Sequence, residues 1–509
     1  MPVGVSPGVY ASERDFSLYA PQLASSIFGI VTTASKGPVN ELTLISDEGS
    51  LVGTFGLPSA QHLGLYAGLR YLKRGKQLLV VRVAAYDSTA SVFVPLRTVE
   101  GGGSLVSAAT ISALSSGSWG NDISCLIERS SYYTGKIKIT VRYKGAIVET
   151  FDNLSTDTSD TTNYWETKVN GNSEYITLEV LDPAGRYIDG TSYTATLSGG
   201  DDGAPADTSD IIGSAGSPPS VPATGLQLFR NSEAVDLNLL AVPGNSDASV
   251  ISELISICEA RGDAMALIDP PFGYSVQEVA DWHNGLDPSG PVTPLSSSYA
   301  ALFWPWIKVY DGFSDSEVWV PPSGHIAGVI AYTDYVADPW WAPAGMTRAI
   351  LSDALQVEYS ASLGERDFLY SGANSINPIC SFYGQGIVVW GQRTLQRSTS
   401  ALDRINVRRL LLYLRKVVSS AVRQLVFEPN DELTWMMFVN LVQPICDTIQ
   451  SRRGIYRSRV ICDETTNTPD VVARNEMRGK ILIQPTKTAE VITLEFTLLP
   501  TGATFEEYA

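Results

Sequence analysis

The sequence predicts a multidomain chain of α/β and α+β type, with an all-β, sandwich-like domain inserted into a discontinuous core. Three observations lead there. A length of 509 residues exceeds what one hydrophobic core sustains. Apolar strand-like runs alternate with amphipathic helical stretches before residue 96 and again after residue 225. Between them, helical periodicity vanishes and short β-type runs stand among Ser, Thr, Gly and Asp.

Residues 1–25 open with turn chemistry, Ser6-Pro7-Gly8, then Val9-Tyr10 and a polar run from Ser12 to Asp15. Such a segment, an N-terminal arm, cannot bury a core of its own and either hangs loose or adds to another sheet. Residues 26–33 read as a buried strand, 60–74 as a helix ending at Gly75, and 77–83 as the next strand. From Gly101-Gly102-Gly103 onward, residues 136–143, 175–180 and 191–197 predict strands of a sandwich spanning 96–225. Acids outnumber bases there by about two to one, which suits a solvent-facing surface.

Residues 237–242 then predict a strand, 248–261 an amphipathic helix, 264–269 a strand and 323–337 a helix. Together, 26–95 and 226–375 make an α/β middle domain. The remaining 376–509 form a last domain, with a strand at 387–390 and long helices over about 402–427 and 431–451. Pro429 stops the first helix and Pro444 kinks the second. Strands follow at 480–484 and 486–499. In the latter, Ile492, Leu494, Phe496 and Leu498 alternate with Val491, Thr493, Glu495 and Thr497, the period of a half-buried strand.

Several function classes find little support. The net charge of −18 argues against nucleic-acid binding, which needs a basic footprint. No apolar run is long enough to predict a transmembrane helix, and Met1-Pro2-Val3-Gly4-Val5 lacks the marks of a signal peptide. The five cysteines are scattered without a CxxC pair and read as reduced, buried hydrophobes made in a cytoplasm. With three histidines, of which His283 and His325 have no partner at ligand spacing, no metal site is expected. Gly4-Val5-Ser6-Pro7-Gly8 fits the letters of a nucleophile elbow without the strand that must precede it. Gly384-Gln385-Gly386 precedes a strand, where a dinucleotide fingerprint would follow one. No catalytic residue and no cofactor is nominated. Trp304, Trp306, Trp319, Trp340 and Trp341 read as aromatic anchors of cores and interfaces.

The 402–427 helix stands out within this acidic chain. Arg404, Arg408, Arg409, Arg415, Lys416 and Arg423 face one acid, Asp403. Arg404, Arg408 and Arg415 share a face, opposite a stripe of Leu410, Leu414, Val417 and Ala421. Such a zone either meets an acidic partner or is neutralised by acids elsewhere in its own domain.

Ordered stretches then carry a resemblance. They run from Ser6-Pro7-Gly8-Val9-Tyr10 and GIVTTASKGP at 29–38 through YAALFWPWIKVYD at 299–311, VPPSGHIAG at 320–328 and DYVADPWWAP at 334–343. VVWGQRTL at 388–395, INVRR at 405–409, FEPN at 427–430 and TNTPD at 466–470 complete the set, which leaves out only about 96–225. The chain resembles the contractile tail sheath proteins of myophages. That resemblance implies a non-enzymatic subunit, made in the host bacterial cytoplasm and resident in the virion tail. It stacks as six-fold helical rings around an inner tail tube, with baseplate and tail terminator proteins at the ends, and touches neither nucleic acid nor membrane directly. Contraction from a metastable extended state drives the tube through the host envelope. Terminal arms in such sheaths add strands to neighbouring subunits, a role for Val3, Val5, Val9, Ile492, Leu494, Phe496 and Leu498. Arg404, Arg408, Arg415 and Arg423, or the segment 466–477, become candidates to face the tube. A phage-derived injector of R-type bacteriocin or type VI-like kind is the same-class alternative. An enzyme with a carbohydrate-binding insertion, or an adhesin built on 96–225, are the rivals from other classes.

Overall fold

The two α/β stretches converge on one sheet. The computed structural model describes residues 26–85, 87–99, 105–181, 192–217 and 220–494. Eight strands lie side by side in the order Gly386–Val389, Ile376–Phe382, Ala300–Trp304, Met265–Ile268, Leu239–Ala241, Phe28–Thr32, Leu78–Arg82 and Thr43–Ile45. The inner six pair in parallel and both edge strands run antiparallel. Side-chain alternation splits the apolar residues between two cores. Phe28, Ile30, Val80 and Leu239 join one core with the helices Leu63–Leu72 and Ser323–Val336. Val31, Val81, Leu240 and Leu302 join another, with the helices Ala248–Arg261 and Val276–His283. A parallel sheet needs such cover on both faces, and its strands are correspondingly apolar throughout.

Local chemistry sets the helix ends. Asp247 accepts hydrogen bonds from the Ser249 and Val250 backbone N–H groups, and Gly262 closes the same helix in the left-handed region at φ 67°. Ser275 and Glu278 form a capping box for Val276–His283. The helices Leu63–Leu72 and Ser323–Val336 approach closely because Gly324 has no side chain, since a Cβ there would lie 2.4 Å from the Ala67 Cα.

Residues 89–201 build two antiparallel sheets. One holds Val92–Val99, Leu105–Ala113 and Ile176–Val180, and the other Tyr193–Thr196, Ile123–Arg129, Ile137–Tyr143 and Ala146–Leu154. Ile111 and Leu178 of the first share a core with Cys125, Ile139 and Val141 of the second. The expected limits of 96 and 225 need correction. Bridges Thr89↔Asp201 and Val92↔Ser198 tie the two connections together earlier at both ends, and Ala206, Ile211 and Ile212 already pack against the α/β core. The layer is also not purely β. A six-residue helix, Trp165–Asn170, buries Trp165 and Val169 there, too short to leave a helical period in the sequence.

The boundary expected at 376 moves as well. Ile376–Phe382 continues the parallel sheet through the pair Leu302↔Ile376, so the α/β unit extends to Ser420 and a second compact unit starts at Ala421. In that second unit, Asp431 caps the helix Glu432–Ser451, which contains Pro444. Trp435, Phe438, Val442, Cys446 and Ile449, spaced three or four apart, form its buried stripe. The helix packs on an antiparallel pair, Ile455–Ile461 with Lys480–Pro485.

All five cysteines are buried and unpaired, and burial pushes the Cys125 thiol up to about 12 and Cys446 up to about 11. His283 is fully buried in the α/β unit. Burial first, and the Arg397 guanidinium second, lower its imidazole to about 4. The folded value thus lies below the usual value of about 6.5. Its contribution to stability is complete above about pH 6.5 and is lost as pH falls toward 4, by up to about 3 kcal/mol. His283→Gln is expected to remove that part of the acid sensitivity in urea midpoints taken at about pH 7 and about pH 4.5. An unchanged difference between the two pH values would refute the assignment.

Candidate assembly surfaces

The basic helix forms as Ile405–Val422, continues as a 3-10 turn at Arg423–Leu425, and reaches Phe427, which sits at φ 76° before the helix-breaking Pro429. Up to Ser420 it lies inside the α/β unit, where Ile405, Val407, Leu410, Leu412 and Leu414 are buried together with Asn406, Arg408 and Arg409. Arg409 makes a bidentate pair with Asp334 at 2.7 and 2.6 Å, with the two side chains 5% and 3% exposed. Arg408 donates to the Ser298 hydroxyl and stacks on the Tyr299 ring, 4.0 Å from its centroid. Arg404 pairs with Asp403 at 2.9 Å, and Lys416 with Asp236.

The expected cationic face therefore divides. Arg404 pairs with an acid of its own unit, as helix neutralisation by internal acids predicts, whereas Arg408 is buried against the Ser298 hydroxyl and the Tyr299 ring, so neither stands as a free surface charge. Arg415 and Arg423 are exposed. The reason lies in long-range packing, because helical spacing says which residues share a face but not which element covers it. The same packing joins stretches that are distant in sequence. Asp334 of the 334–343 stretch meets Arg409 of 405–409, and the Arg393 backbone N–H of 388–395 donates to Asn377 Oδ1 at 2.6 Å.

The terminal arm residues divide too. Val3, Val5, Val9, Phe496 and Leu498 lie outside the described residues. Ile492 and Leu494 are described and stand outside any strand, 77% and 74% exposed, with Val491 at 86%. The half-buried strand expected there is not formed as far as Leu494. In the second unit, Ile455–Ile461 and Lys480–Pro485 pair only with each other among the described residues, so each keeps an open edge. Between those strands, Asn467 holds the 466–477 segment by accepting from the Arg478 N–H at 2.6 Å and donating to the Asp463 carbonyl at 3.2 Å.

Trp304, Trp306 and Trp340 are buried, and the first two donate to the Tyr274 and Pro270 carbonyls at 3.2 and 2.8 Å. His325 is buried within Ser323–Val336, 3.4 Å from Asp353. Among the described residues, no His, Cys, Asp and Glu group could hold a metal, and no helix is long and apolar enough to cross a membrane.

Residues 25–83 match the tail sheath protein Gp18 domain III N-terminal region, 223–395 the phage tail sheath protein central domain, and 397–498 the phage tail sheath C-terminal domain. The tail sheath protein of Vibrio phage KVP40 is 32% identical over 75% of this chain and 59% of its own length. That of Enterobacteria phage T4 is 29% identical over 98% of this chain and 76% of its own. The chain thus spans less than two thirds of the Vibrio phage protein. Among solved structures, the fold matches a sheath tail protein from Listeria innocua at TM-score 0.61 and 13% identity, covering 90% of this chain and 95% of that one. It also matches the sheath of an extracellular contractile injection system in its contracted state, at TM-score 0.57 and 16% identity over the whole of both chains. With three family matches in sequence order across most of its length, the chain belongs to the phage tail sheath protein family.

Proposed function

We propose that this chain is the structural subunit of a contractile phage tail sheath. It polymerises as six-fold helical rings around an inner tube in an extended, metastable state. On firing, it contracts and drives the tube through the host envelope for genome delivery. The observation that carries this reading is the ordered run of sheath-family matches from residue 25 to residue 498, interrupted only between 83 and 223. That interruption contains the β layers of 89–201, which act as a surface domain inserted into the sheath core. The named relatives are phage proteins, which favours a phage tail over a phage-derived injector.

The chain works as a polymer and not as a catalyst. Its partners are further copies of itself, an inner tube protein, and baseplate and terminator proteins at the ends. Residues of the two arms, Val3, Val5 and Val9 at one end and Ile492, Leu494, Phe496 and Leu498 at the other, add strands to the open edges of a neighbour's Ile455–Ile461 and Lys480–Pro485 pair. Pairing confined to short arms survives as a hinge while subunits rotate. Head-to-tail contacts of this kind build rings and helices from one subunit type. Free energy stored at assembly and released as subunits gain contacts then drives contraction without a nucleotide. Tube contact falls to the exposed Arg415 and Arg423, since solvent-rim charge pairs are weak enough to break on firing.

Electron microscopy of the concentrated protein tests this reading, and long hollow cylinders are the expected result. Material that stays monodisperse would overturn it. With tube protein present, Arg415→Glu with Arg423→Glu is expected to leave the cylinders intact but without tubes inside. Filled cylinders would reject these two residues as the tube contact.

A further inference from the structure

A groove of about 840 Å³ opens where the C-terminal ends of Leu63–Leu72 and Ser323–Val336 meet residues 347–352. Lys73, Arg74, Lys76 and Arg348 line it, together with Tyr332 and Tyr335. The segment from Arg70 to Lys76 holds four cations and no acid. Internal acids answer only part of this charge. Asp353 takes Arg70 and Lys73 at 3.2 and 3.1 Å. The Arg74 Nη1 and Arg348 Nε atoms are buried without an acceptor among the described residues, and Lys76 is exposed. Tyr335 is 84% exposed, and the Arg74 guanidinium lies 5.5 Å from the Tyr332 ring centroid. Uncovered tyrosine beside arginine is the composition of an interface anchor more than of a solvated face.

The complementary charge lies on the opposite layer of the same sheet. From Gly262 to Ile307 the chain has five acids and no lysine or arginine. Two of the five, Glu278 and Asp281, sit on the outer side of Val276–His283, and the neighbouring helix Leu363–Leu369 adds Glu365 and Asp367. Val276, Val279 and Leu369 point these helices into one core, whereas Leu72 and Ala331 point the groove helices into the other. The sheet stands between groove and acidic ledge, so the two cannot meet within one copy.

We infer that the basic groove receives the acidic ledge of a second copy of this chain, with Asp281 and Asp367 set against Lys76 and Arg348. Two different patches of identical molecules make a head-to-tail contact, which propagates along a polymer and does not close as a dimer. The inference rests on the proposed polymer and says which body surfaces join, beyond the exchanged arms.

A charge swap tests it. Lys76→Glu with Arg348→Glu, and separately Asp281→Lys with Asp367→Lys, are each expected to raise the concentration needed for assembly about tenfold or more, because like charges then face each other. Melting of the dilute monomers serves as the folding control. An equimolar mixture would pair unlike surfaces at only some contacts, so the decisive protein is the fourfold variant, whose groove and ledge are both reversed. Recovery of assembly in that variant supports the contact. Assembly unaffected by either reversal, or not recovered in the fourfold variant, overturns it while leaving the sheath reading intact. A wild-type chain that never assembles removes both.

Discussion

Asp334→Ala is expected to destabilise the α/β unit by about 3–5 kcal/mol, the cost of leaving a buried charge without its partner. The Arg409 side chain is 5% exposed and its two donors reach the Asp334 oxygens at 2.7 and 2.6 Å. It also donates to the Pro339 carbonyl at 3.2 Å, so the guanidinium has no route to water once the carboxylate is gone. Denaturant unfolding of the dilute monomer measures the loss as a shift in midpoint. Asp334→Leu with Arg409→Met is expected to recover most of it, since an apolar pair of similar volume avoids desolvating two charges. If the double variant is as unstable as the single, the effect is lost packing and not an orphaned charge. A loss below about 1 kcal/mol would show that the pair behaves as a surface bridge.

The same pair marks where sequence reasoning stopped. Ala248–Arg261 was legible to the residue, because Asp247 and Gly262 punctuate an amphipathic run that local chemistry alone decides. Phe28–Thr32 and Leu78–Arg82 were legible as apolar runs, though nothing local says that they lie next to each other. Ile376–Phe382 was not legible as part of the α/β sheet. Its place depends on a parallel partner more than seventy residues earlier in the chain, Ala300–Trp304. Arg408, which helical spacing puts on one face with Arg404 and Arg415, and Arg409 beside it read only as parts of a cationic zone for a related reason. Burying an arginine requires a specific acceptor, and here the acceptors come from Ser298 and Asp334, which no periodicity connects to the helix. The groove at Lys76 and Arg348 was likewise invisible, since its two sides are joined only by the fold.

Ending the chain after Glu490 is expected to abolish polymerisation, and replacing Ile492 and Leu494 by Asp is expected to change monomer stability by less than about 0.5 kcal/mol, the usual limit for surface changes. Val491, Ile492 and Leu494 are 86%, 77% and 74% exposed, so removing them uncovers nothing in the lone chain. In a polymer the balance differs. Burying Ile492 and Leu494 on a neighbour's sheet would contribute about 1.5–3 kcal/mol each, before any backbone pairing is counted. Repeated at every subunit, that difference separates a cohesive lattice from a solution of monomers. Sedimentation velocity and electron microscopy of the truncated protein measure the outcome. Replacing Ile492 and Leu494 by Asp in the full-length chain gives a second reading that leaves chain length unchanged. Cylinders formed by the Asp variant would show that side-chain burial is dispensable and that backbone pairing alone holds the arm. Cylinders formed by the truncated chain would remove the C-terminal arm from assembly altogether and leave the groove and ledge to carry the contact between copies.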